Sequence, residues 1–468
     1  MNKRLQERML LEIKNEEIFE LAHRYSLEYI QGIFSRNVYP TQEALHNLSI
    51  FDEPLSSESS HAKNVLEQLH KYGSSTTTAT LGGRYFGFVV GSALPVGLAA
   101  KNLATYWDQA PAMNVLSPIG SKLETVVEKW LTELFNLPKT TSAGFVSGTS
   151  IANLCGLAAA RYRILKRNHW DVNENGLRNS PKIRIVTGKQ AHSTVLKAIS
   201  VLGLGKKNIE WVEVDNQGRI IPELIPELDE NTILILQAGN VNSGAFDNFE
   251  FICNKARKSN TWVHIDGAFG LWAQTVSQLK HLTKGIENAS SWAVDGHKTL
   301  NTPYDCGIVL CSDAEAMTHA LHMSGSYIVE SSKRDGMFYT TEMSRRARII
   351  ELWAIMKYLG RNGIDEMILT LHQRAQQFAQ EIVQVRGFYV ENDVVFNQVI
   401  VRTNNDETTE KVLHTIQELR ECWLGGSTWF GQKVIRVSIC SWATTPNDIS
   451  ITVRSFEKAL HIVNEKET

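Results

Sequence analysis

The chain has 468 residues, of which 43% are hydrophobic and 21% charged, and its formal net charge is -2. This composition is typical of a soluble globular protein, and the length predicts two or three domains. Acidic and basic residues are interspersed, which argues against a nucleic-acid partner or a charged membrane surface as partner.

Residues 1–75 have the pattern of charged, amphipathic helices, interrupted by a Ser-rich stretch at 56–60. They contain no apolar core of the signal-peptide type, and the apolar stretch at 85–100 is too short to span a bilayer. The six cysteines are scattered and form no CxxC pair, which favours free buried thiols over disulfides or a metal site. We therefore expect a cytoplasmic protein without a membrane span or a bound metal.

The segment from about 145 to 311 alternates short β-rich runs with helical patterns. The predicted strands are 183–186, 209–214, 232–237, 262–265, 291–294 and 307–311. Such alternation predicts βαβ units and a mainly parallel sheet, with ligands at the carboxyl ends of the strands. A long helix is expected at 344–359, followed by further helices and by strands at 394–402 and 434–439. The expected division is a helical segment at 1–75, a large α/β domain at 76–361 and a small α+β domain at 362–468.

The first candidate site residues precede a predicted helix at 151–166. Gly148 lets the backbone approach an anion, and Thr149 and Ser150 add hydroxyls and amides at the positive end of the helix, which suits a phosphate group. The segment lacks the spacing of a P-loop. A helix cap without a ligand is an equally good interpretation.

Two further segments follow predicted strands. His192 begins a helix after the strand at 183–187, where its imidazole can stack on a cofactor ring or orient a carboxylate; a capping or core histidine is the alternative. The loop at 239–247, which contains Asn242, is made of small residues and is open enough to line the same pocket.

The strongest candidates end the next two strands. Asp266 ends an apolar strand, and a buried carboxylate there needs a partner; Ala268 is small enough to lie against a flat ring. Asp295, His297 and Lys298 form the turn after the following strand, where a desolvated lysine is a usable amine nucleophile. Taken singly, Asp266 is better explained as a helix N-cap and Lys298 as a surface charge.

These segments together suit pyridoxal phosphate. Lys298 would hold the cofactor as a Schiff base, and Asp266 would keep its pyridinium nitrogen protonated, so that the ring accepts the electrons of a breaking bond. Gly148, Thr149 and Ser150 would hold the phosphate, and His192 would stack on the ring.

The sequence at this point resembles the group II pyridoxal-phosphate-dependent amino-acid decarboxylases, which have the aspartate-aminotransferase type fold (fold type I). The resemblance covers about residues 60–460, and its motifs lie at 84–88, 192–198, 264–268, 295–298, 303–307, 341–348 and 434–442. Three positions depart from the family pattern. Thr299 stands where a bulky Trp is common, Ile151 where the phosphate loop carries an acid, and Gly267 in place of a frequent Ala. They leave the required chemical groups in place but put the substrate in doubt.

The resemblance implies a mainly parallel seven-stranded sheet and the decarboxylation of an L-amino acid to an amine and CO2. It implies that His192, with His297, holds the substrate carboxylate, and that Tyr339, on a mobile loop at about 329–341, returns a proton; Tyr339 as a packing residue is the alternative. It also implies a homodimer with active sites at the interface, in which the loop usually serves the partner's site.

Several alternatives stay open. The same cofactor supports aldehyde synthesis, carbon–carbon lyase chemistry or transamination on this fold. A non-catalytic scaffold is a rival from another class, although Lys298 and Asp266 are both retained. The aromatic residues at 85–88 and Trp107 suit an aromatic substrate but are equally consistent with core packing. Glutamate, aspartate and diaminobutyrate are also open.

Overall fold

The computed structural model describes residues 5–323, 325–326 and 332–467. Its α-helices are α1 (Leu5–Glu12), α2 (Glu17–Gly32), α3 (Gln42–His46), α4 (Ala62–Gln68), α5 (Ser74–Thr76), α6 (Pro95–Trp107), α7 (Pro118–Leu134), α8 (Thr149–Arg167), α9 (Val172–Asn175), α10 (Ser193–Val201), α11 (Phe249–Lys258), α12 (Ala314–Ala320), α13 (Ile349–Ile382), α14 (Asp406–Leu419) and α15 (Pro446–Glu467). Its strands are β1 (Ser142–Val146), β2 (Arg184–Gly188), β3 (Ile209–Val212), β4 (Thr232–Gln237), β5 (Trp262–Asp266), β6 (Ser291–Asp295), β7 (Gly307–Cys311), β8 (Tyr389–Val390), β9 (Gln398–Arg402), β10 (Gly425–Trp429) and β11 (Gln432–Ser438).

The larger sheet has seven strands in the order β1-β7-β6-β5-β4-β2-β3. The strands from β2 to β6 pair in parallel, whereas β7 is antiparallel to both β6 and β1. Strands β4, β5 and β6 are buried along their whole length, as expected for parallel strands covered on both faces. The predicted mainly parallel seven-stranded sheet of an α/β protein is confirmed.

Strand β1 is not among the predicted strands, because Ala143 and Gly144 are weak strand formers. Its register with β7 places Val146 beside Gly307, which in turn pairs with Asp295 of β6. A Cβ atom on Gly307 would lie 2.4 Å from the Cα of Gly148. The glycine therefore lets the loop after β1 approach the end of β6, where several candidate site residues lie.

Helix α13 is longer than the helix predicted at 344–359. It contains a non-helical residue, Gly360, at φ 59°. Side chains before this break pack in the core of the large sheet, and those from Leu371 to Ile382 pack in the core beside the small sheet. The break at Gly360 coincides with the predicted helix end at 359, and a second helical segment continues to Ile382, whereas the helix begins at Ile349 rather than at 344.

The small sheet is antiparallel, in the order β10-β11-β9-β8. Together with α14 and α15 it forms the expected α+β portion, although β9 begins later than the predicted start at 394. The N-terminal portion is helical, as predicted. The division into domains at 75 and 361 stays a prediction. Among the described residues, none of the helices has the length and apolar character that a membrane crossing requires.

Candidate active site

The carboxyl ends of the central strands lie at one edge of the large sheet. Asp266 pairs with Ala293 of β6, so that Asp266 and Asp295 end neighbouring strands on the same edge. Strand β2 runs parallel to them and leads into His192 at the start of α10. The sheet therefore brings the predicted strand-end residues together, where parallel α/β folds bind their ligands.

His192 is a neutral imidazole in this cluster. Burial lowers its pKa; Asp266 acts against that lowering, whereas Lys298 and Arg436 reinforce it. The backbone amide of Thr194 donates to Nδ1 of His192 at 3.3 Å, and the Thr194 hydroxyl lies 2.8 Å from the same nitrogen. Since Nδ1 accepts a hydrogen bond, Nε2 carries the proton and the orientation of the ring is fixed. His192 is thus both the N-cap of α10 and part of the site.

Asp266 is almost fully buried and receives hydrogen bonds from neutral donors. Asn153 Nδ2 lies 3.3 Å from Oδ2, and the amide of Ala268 lies 3.3 Å from Oδ1. Ala268 also accepts a hydrogen bond from the amide of Asp295 through its carbonyl, which places it between the two strand ends. A buried carboxylate with uncharged partners is costly unless a cation also reaches it.

A chain of buried polar side chains orients Asn153. Its Oδ1 lies 2.9 Å from Nε2 of His264, and Nδ1 of His264 lies 2.8 Å from the Ser291 hydroxyl. Burial lowers the pKa of His264 to about 3, so the ring is neutral and donates from Nε2 to Asn153. The Asn153 amide group is thereby turned with its N–H toward Asp266. This relay was not predicted, although a histidine inside the apolar strand at 262–266 was a signal that a buried partner exists.

Replacement of Asn153 by alanine is expected to weaken cofactor binding by about 10- to 100-fold, the range that corresponds to losing a hydrogen bond to a charged group. Titration of the cofactor-free variant with pyridoxal phosphate measures the change. Asn153→Asp should weaken binding further, because a second carboxylate would face Asp266. Asn175→Ala on exposed α9 is the matched control, and an unchanged affinity in Asn153→Ala would rule the relay out.

Lys298 and the α8 N-terminus meet at Asp295. Lys298 Nζ lies 3.1 Å from Oδ2 of Asp295, and Nε2 of His297 lies 3.5 Å from the same oxygen. The amide of Thr149 donates to Oδ1 at 2.7 Å, and its hydroxyl donates to Oδ2 at 3.0 Å. The predicted phosphate segment and the predicted Schiff-base lysine are therefore adjacent; Gly148 lies beside them, and Ser150 is exposed on the first turn of α8.

The turn that carries Lys298 is held from two sides. A Cβ on Gly91 would lie 2.2 Å from the carbonyl oxygen of Lys298, so the backbone before α6 packs directly on this turn. The amide of Cys306 donates to Nδ1 of His297 at 3.1 Å, and the ring of Tyr304 lies 4.3 Å from the imidazole. Burial lowers the pKa of His297, which keeps it neutral with its proton on Nε2.

Arg436 also belongs to this cluster, although it is not among the site residues predicted from the sequence. It lies on β11 opposite Ile400 of β9, is partly buried, and has its pKa lowered by burial. Within the described ranges its guanidinium has no hydrogen bond or acidic partner. An arginine among the apolar side chains of β11 was the available signal, because an unpaired, partly buried cation is unusual outside an anion-binding site.

Two predicted site residues, Tyr339 and Asn242, have their described side-chain contacts with residues outside the cluster at the sheet edge. The Tyr339 ring packs under the guanidinium of Arg334, 3.9 Å from its centroid, and Asn242 accepts a hydrogen bond from Ser427 of β10 at 2.9 Å. In the described part of the chain, no hydrogen bond joins either residue to Lys298, so their roles stay predictions. Val329 and Ser331 of the predicted mobile loop lie outside the described residues.

The sequence is similar to known proteins of one family. The family model for the pyridoxal-dependent decarboxylase conserved domain matches residues 51–404. Tyrosine decarboxylase 2 of Narcissus pseudonarcissus is 22% identical over 474 residues, covering 94% of this chain and 93% of that relative. The acidic amino acid decarboxylase GADL1 of Mus musculus is 28% identical over 287 residues, covering 58% of this chain and 51% of that relative.

The fold is shared with solved structures as well. The crystal structure of Oryza sativa TDC with PLP and tryptamine superposes with a TM-score of 0.86 at 19% identity, covering 96% of this chain and 98% of that chain. At this identity the likeness concerns the fold, which is that of fold type I. The family match, which spans most of the sequence, carries the assignment of activity and cofactor. The chain therefore belongs to the pyridoxal-dependent decarboxylase family of carboxy-lyases and uses pyridoxal phosphate as its cofactor.

Proposed function

We propose that this chain removes the α-carboxylate of an L-amino acid, yielding the corresponding amine and CO2, with the cofactor attached covalently to Lys298. The observation that carries the proposal is the cluster at the sheet edge, where His192 interacts electrostatically with both Asp266 and Lys298. Lys298 supplies a primary amine, and Asp266 supplies a buried negative charge.

The residues at this edge fit pyridoxal phosphate. The hydrogen-bond donors of the buried Asp266 carboxylate are neutral, and a protonated pyridine nitrogen would provide the missing positive partner. Thr149 opens α8 with an amide and a hydroxyl, which are the donors that a phosphate group needs. The proposed contacts around the cofactor also include Gly148, Ser150, Ala268, Asp295, His297 and Asn242.

When bound, the cofactor supplies an electron-accepting ring that takes up the electron pair of the bond broken at Cα. Asp266 would hold the charge opposite that ring, in a buried place where a fixed charge has a large effect. His192, whose orientation Thr194 fixes, would lie against the ring face. Closure of the site over these residues would exclude water while the carboxylate leaves.

Arg436 is proposed to bind the substrate's α-carboxylate. Its guanidinium is close enough to His192 to lower the pKa of that imidazole, and within the described residues it has no acidic partner. An arginine fork matches the geometry of a carboxylate. A cation in this place would set the direction of the Cα–carboxylate bond before that bond breaks.

A tyrosine is proposed to return the proton to Cα, and Tyr339 is the predicted donor. Tyr339→Phe is expected to lower amine formation by at least about 100-fold, the usual contribution of a positioned acid. The measurement is the rate of amine formation under saturating substrate. Tyr327 precedes the predicted loop at 329–341 by two residues in sequence, so Tyr327→Phe makes the same change at the neighbouring tyrosine and is the matched variant. Undiminished amine formation in Tyr339→Phe would exclude its role, and a loss in Tyr327→Phe alone would assign the proton to Tyr327.

An aromatic amino acid is the proposed substrate class. The rings of Tyr85 and Phe88 stack on Trp423 at 5.2 and 5.5 Å, and Tyr304 lies beside His297, so aromatic surface adjoins the cluster. Phe86, by contrast, belongs to the core of the small domain. The relatives named above act on tyrosine and on acidic amino acids by their names, so both classes belong in the test.

The test is a panel of L-amino acids, with amine, aldehyde, peroxide and CO2 measured separately. Aromatic amino acids are expected to yield an amine and CO2 in equal amounts. Amines from acidic or diamino acids alone would contradict the substrate class but not the reaction. Aldehyde with peroxide, or turnover without CO2, would contradict the reaction itself.

A cytoplasmic homodimer is the proposed form of the protein. Helices α1 and α2 expose apolar side chains, including Leu10, Leu11 and Ile30, and such patches mark contacts between proteins. The six cysteines are free, as is usual in a reducing compartment. In such a dimer, Tyr339 would serve the partner's site. A monomer at micromolar concentration in sedimentation would contradict the dimer.

A further inference from the structure

The two carboxylates at the sheet edge have opposite surroundings. Asp266 receives hydrogen bonds from neutral donors, whereas Asp295 is in contact with a lysine and with the α8 N-terminus. Asp295 is 1% exposed, and its Oδ2 accepts from the Thr149 hydroxyl at 3.0 Å while lying 3.1 Å from Lys298 Nζ. Its Oδ1 accepts from the Thr149 amide at 2.7 Å. Asp295 thus occupies the donors of Thr149 with a full negative charge.

The Thr149 donors are the ones that a phosphate group would use. The amide is the first of α8, where the helix dipole and free N–H groups attract anions. One N–H cannot donate a good hydrogen bond to two acceptors at once. Two anions that share the Thr149 donors would also lie close together in a buried place and repel each other. A phosphate group at the start of α8 must therefore either displace the Asp295 carboxylate or bind next to it against repulsion.

We propose that Asp295 is a positioning residue that competes with the cofactor phosphate for the Thr149 donors. The carboxylate keeps the start of α8 and the Lys298 ammonium joined, and it releases Thr149 when a phosphate group takes its place. Its charge thereby lowers the affinity of the chain for the phosphate. The inference rests on the proposed function, in which the phosphate lies at the α8 N-terminus.

Asp295→Asn tests the inference, since it removes the charge and keeps the shape. The full chain, freed of cofactor, is titrated with inorganic phosphate and with pyridoxamine 5′-phosphate, whose amine cannot condense with Lys298. Calorimetry gives both dissociation constants without any turnover. Asp295→Asn is expected to bind both probes at least about 10-fold more tightly than the natural chain, because the repulsion is gone.

Glu315→Gln is the matched control. It makes the same change of net charge at an exposed residue paired with Arg163, and its affinities should equal those of the natural chain. If Asp295→Asn does not fold, Asp295→Ser removes the same charge, and its phosphate affinity is measured instead of that of Asp295→Asn. Equal or weaker binding in the Asp295 variant would overturn the inference and make Asp295 a plain cofactor ligand.

Failure of this inference and failure of the proposed function are distinguishable. The natural enzyme's release of CO2 from an amino acid tests the function and does not depend on the comparison of phosphate affinities. Tighter phosphate binding in Asp295→Asn supports the competition even if the reaction differs from decarboxylation. Unchanged phosphate binding beside an active decarboxylase would overturn the competition alone.

Discussion

Replacement of Lys298 by alanine is expected to abolish covalent attachment of the cofactor and to lower amine formation by at least about 1000-fold. The reason is that the amine of Lys298 is the proposed anchor, and its loss removes both the covalent bond and a group that acts at the reacting centre. Borohydride reduction followed by peptide mass mapping measures the attachment, and amine formation measures the rate.

Two variants separate this role from simple effects of charge or folding. Lys298→Arg keeps a positive charge near Asp295, which Lys298 contacts at 3.1 Å, but cannot form the bond; it should fail as Lys298→Ala does. Lys197→Ala removes an exposed lysine of α10 and should be fully active. Persistence of a reduced cofactor adduct in Lys298→Ala would show that another lysine is the anchor.

Replacement of Asp266 by asparagine is expected to lower the turnover rate by about 1000-fold while the cofactor stays attached to Lys298. The side chain keeps its size and can keep its contact with Asn153, but the buried negative charge is lost. Removal of one fixed, buried electrostatic group costs about 100- to 1000-fold in other enzymes. Turnover rate and the visible absorbance spectrum of the loaded variant are the measurements.

Asp266→Glu is the informative companion, since it restores the charge at a shifted position. Partial recovery of turnover relative to Asp266→Asn is expected. A turnover rate for Asp266→Asn within tenfold of the natural enzyme would show that the charge of Asp266 does not contribute to the reaction. Because Asn153 acts through Asp266, the effect of Asn153→Ala should be much smaller in an Asp266→Asn background.

The order of elements and the members of the cluster were accessible from the sequence because they are local patterns. Apolar runs that end in Asp266 and in the turn at Lys298 are each contained in fewer than ten residues, and alternation of strands with helices implies that parallel strand ends meet. The resemblance to a decarboxylase family added the partners of these residues. Strand β1 was inaccessible, since Ser142–Val146 becomes a strand only by pairing with β7.

The hydrogen bonds that orient the site residues join residues that are far apart in the sequence. Asn153, His264 and Ser291 come from three elements, and a single sequence gives no register by which to join them. Arg436 carried a signal in the sequence, namely a charge in an apolar strand, but its electrostatic interaction with His192 depends on how the two parts of the chain pack. Tyr339 was predicted as the proton donor because it lies in the predicted loop. Its position in the sequence does not indicate that its ring packs against Arg334.

Release of CO2 from a carboxyl-labelled L-amino acid in heavy water measures the proposed decarboxylation itself. We expect labelled CO2 and an amine in equal amounts, with the amine retaining its original α-hydrogen and carrying one deuterium in place of the lost carboxylate. In Lys298→Ala, we expect both products to fall by at least about 1000-fold. Loss of the α-hydrogen with the label retained in the product, or undiminished turnover in Lys298→Ala, would contradict the proposal.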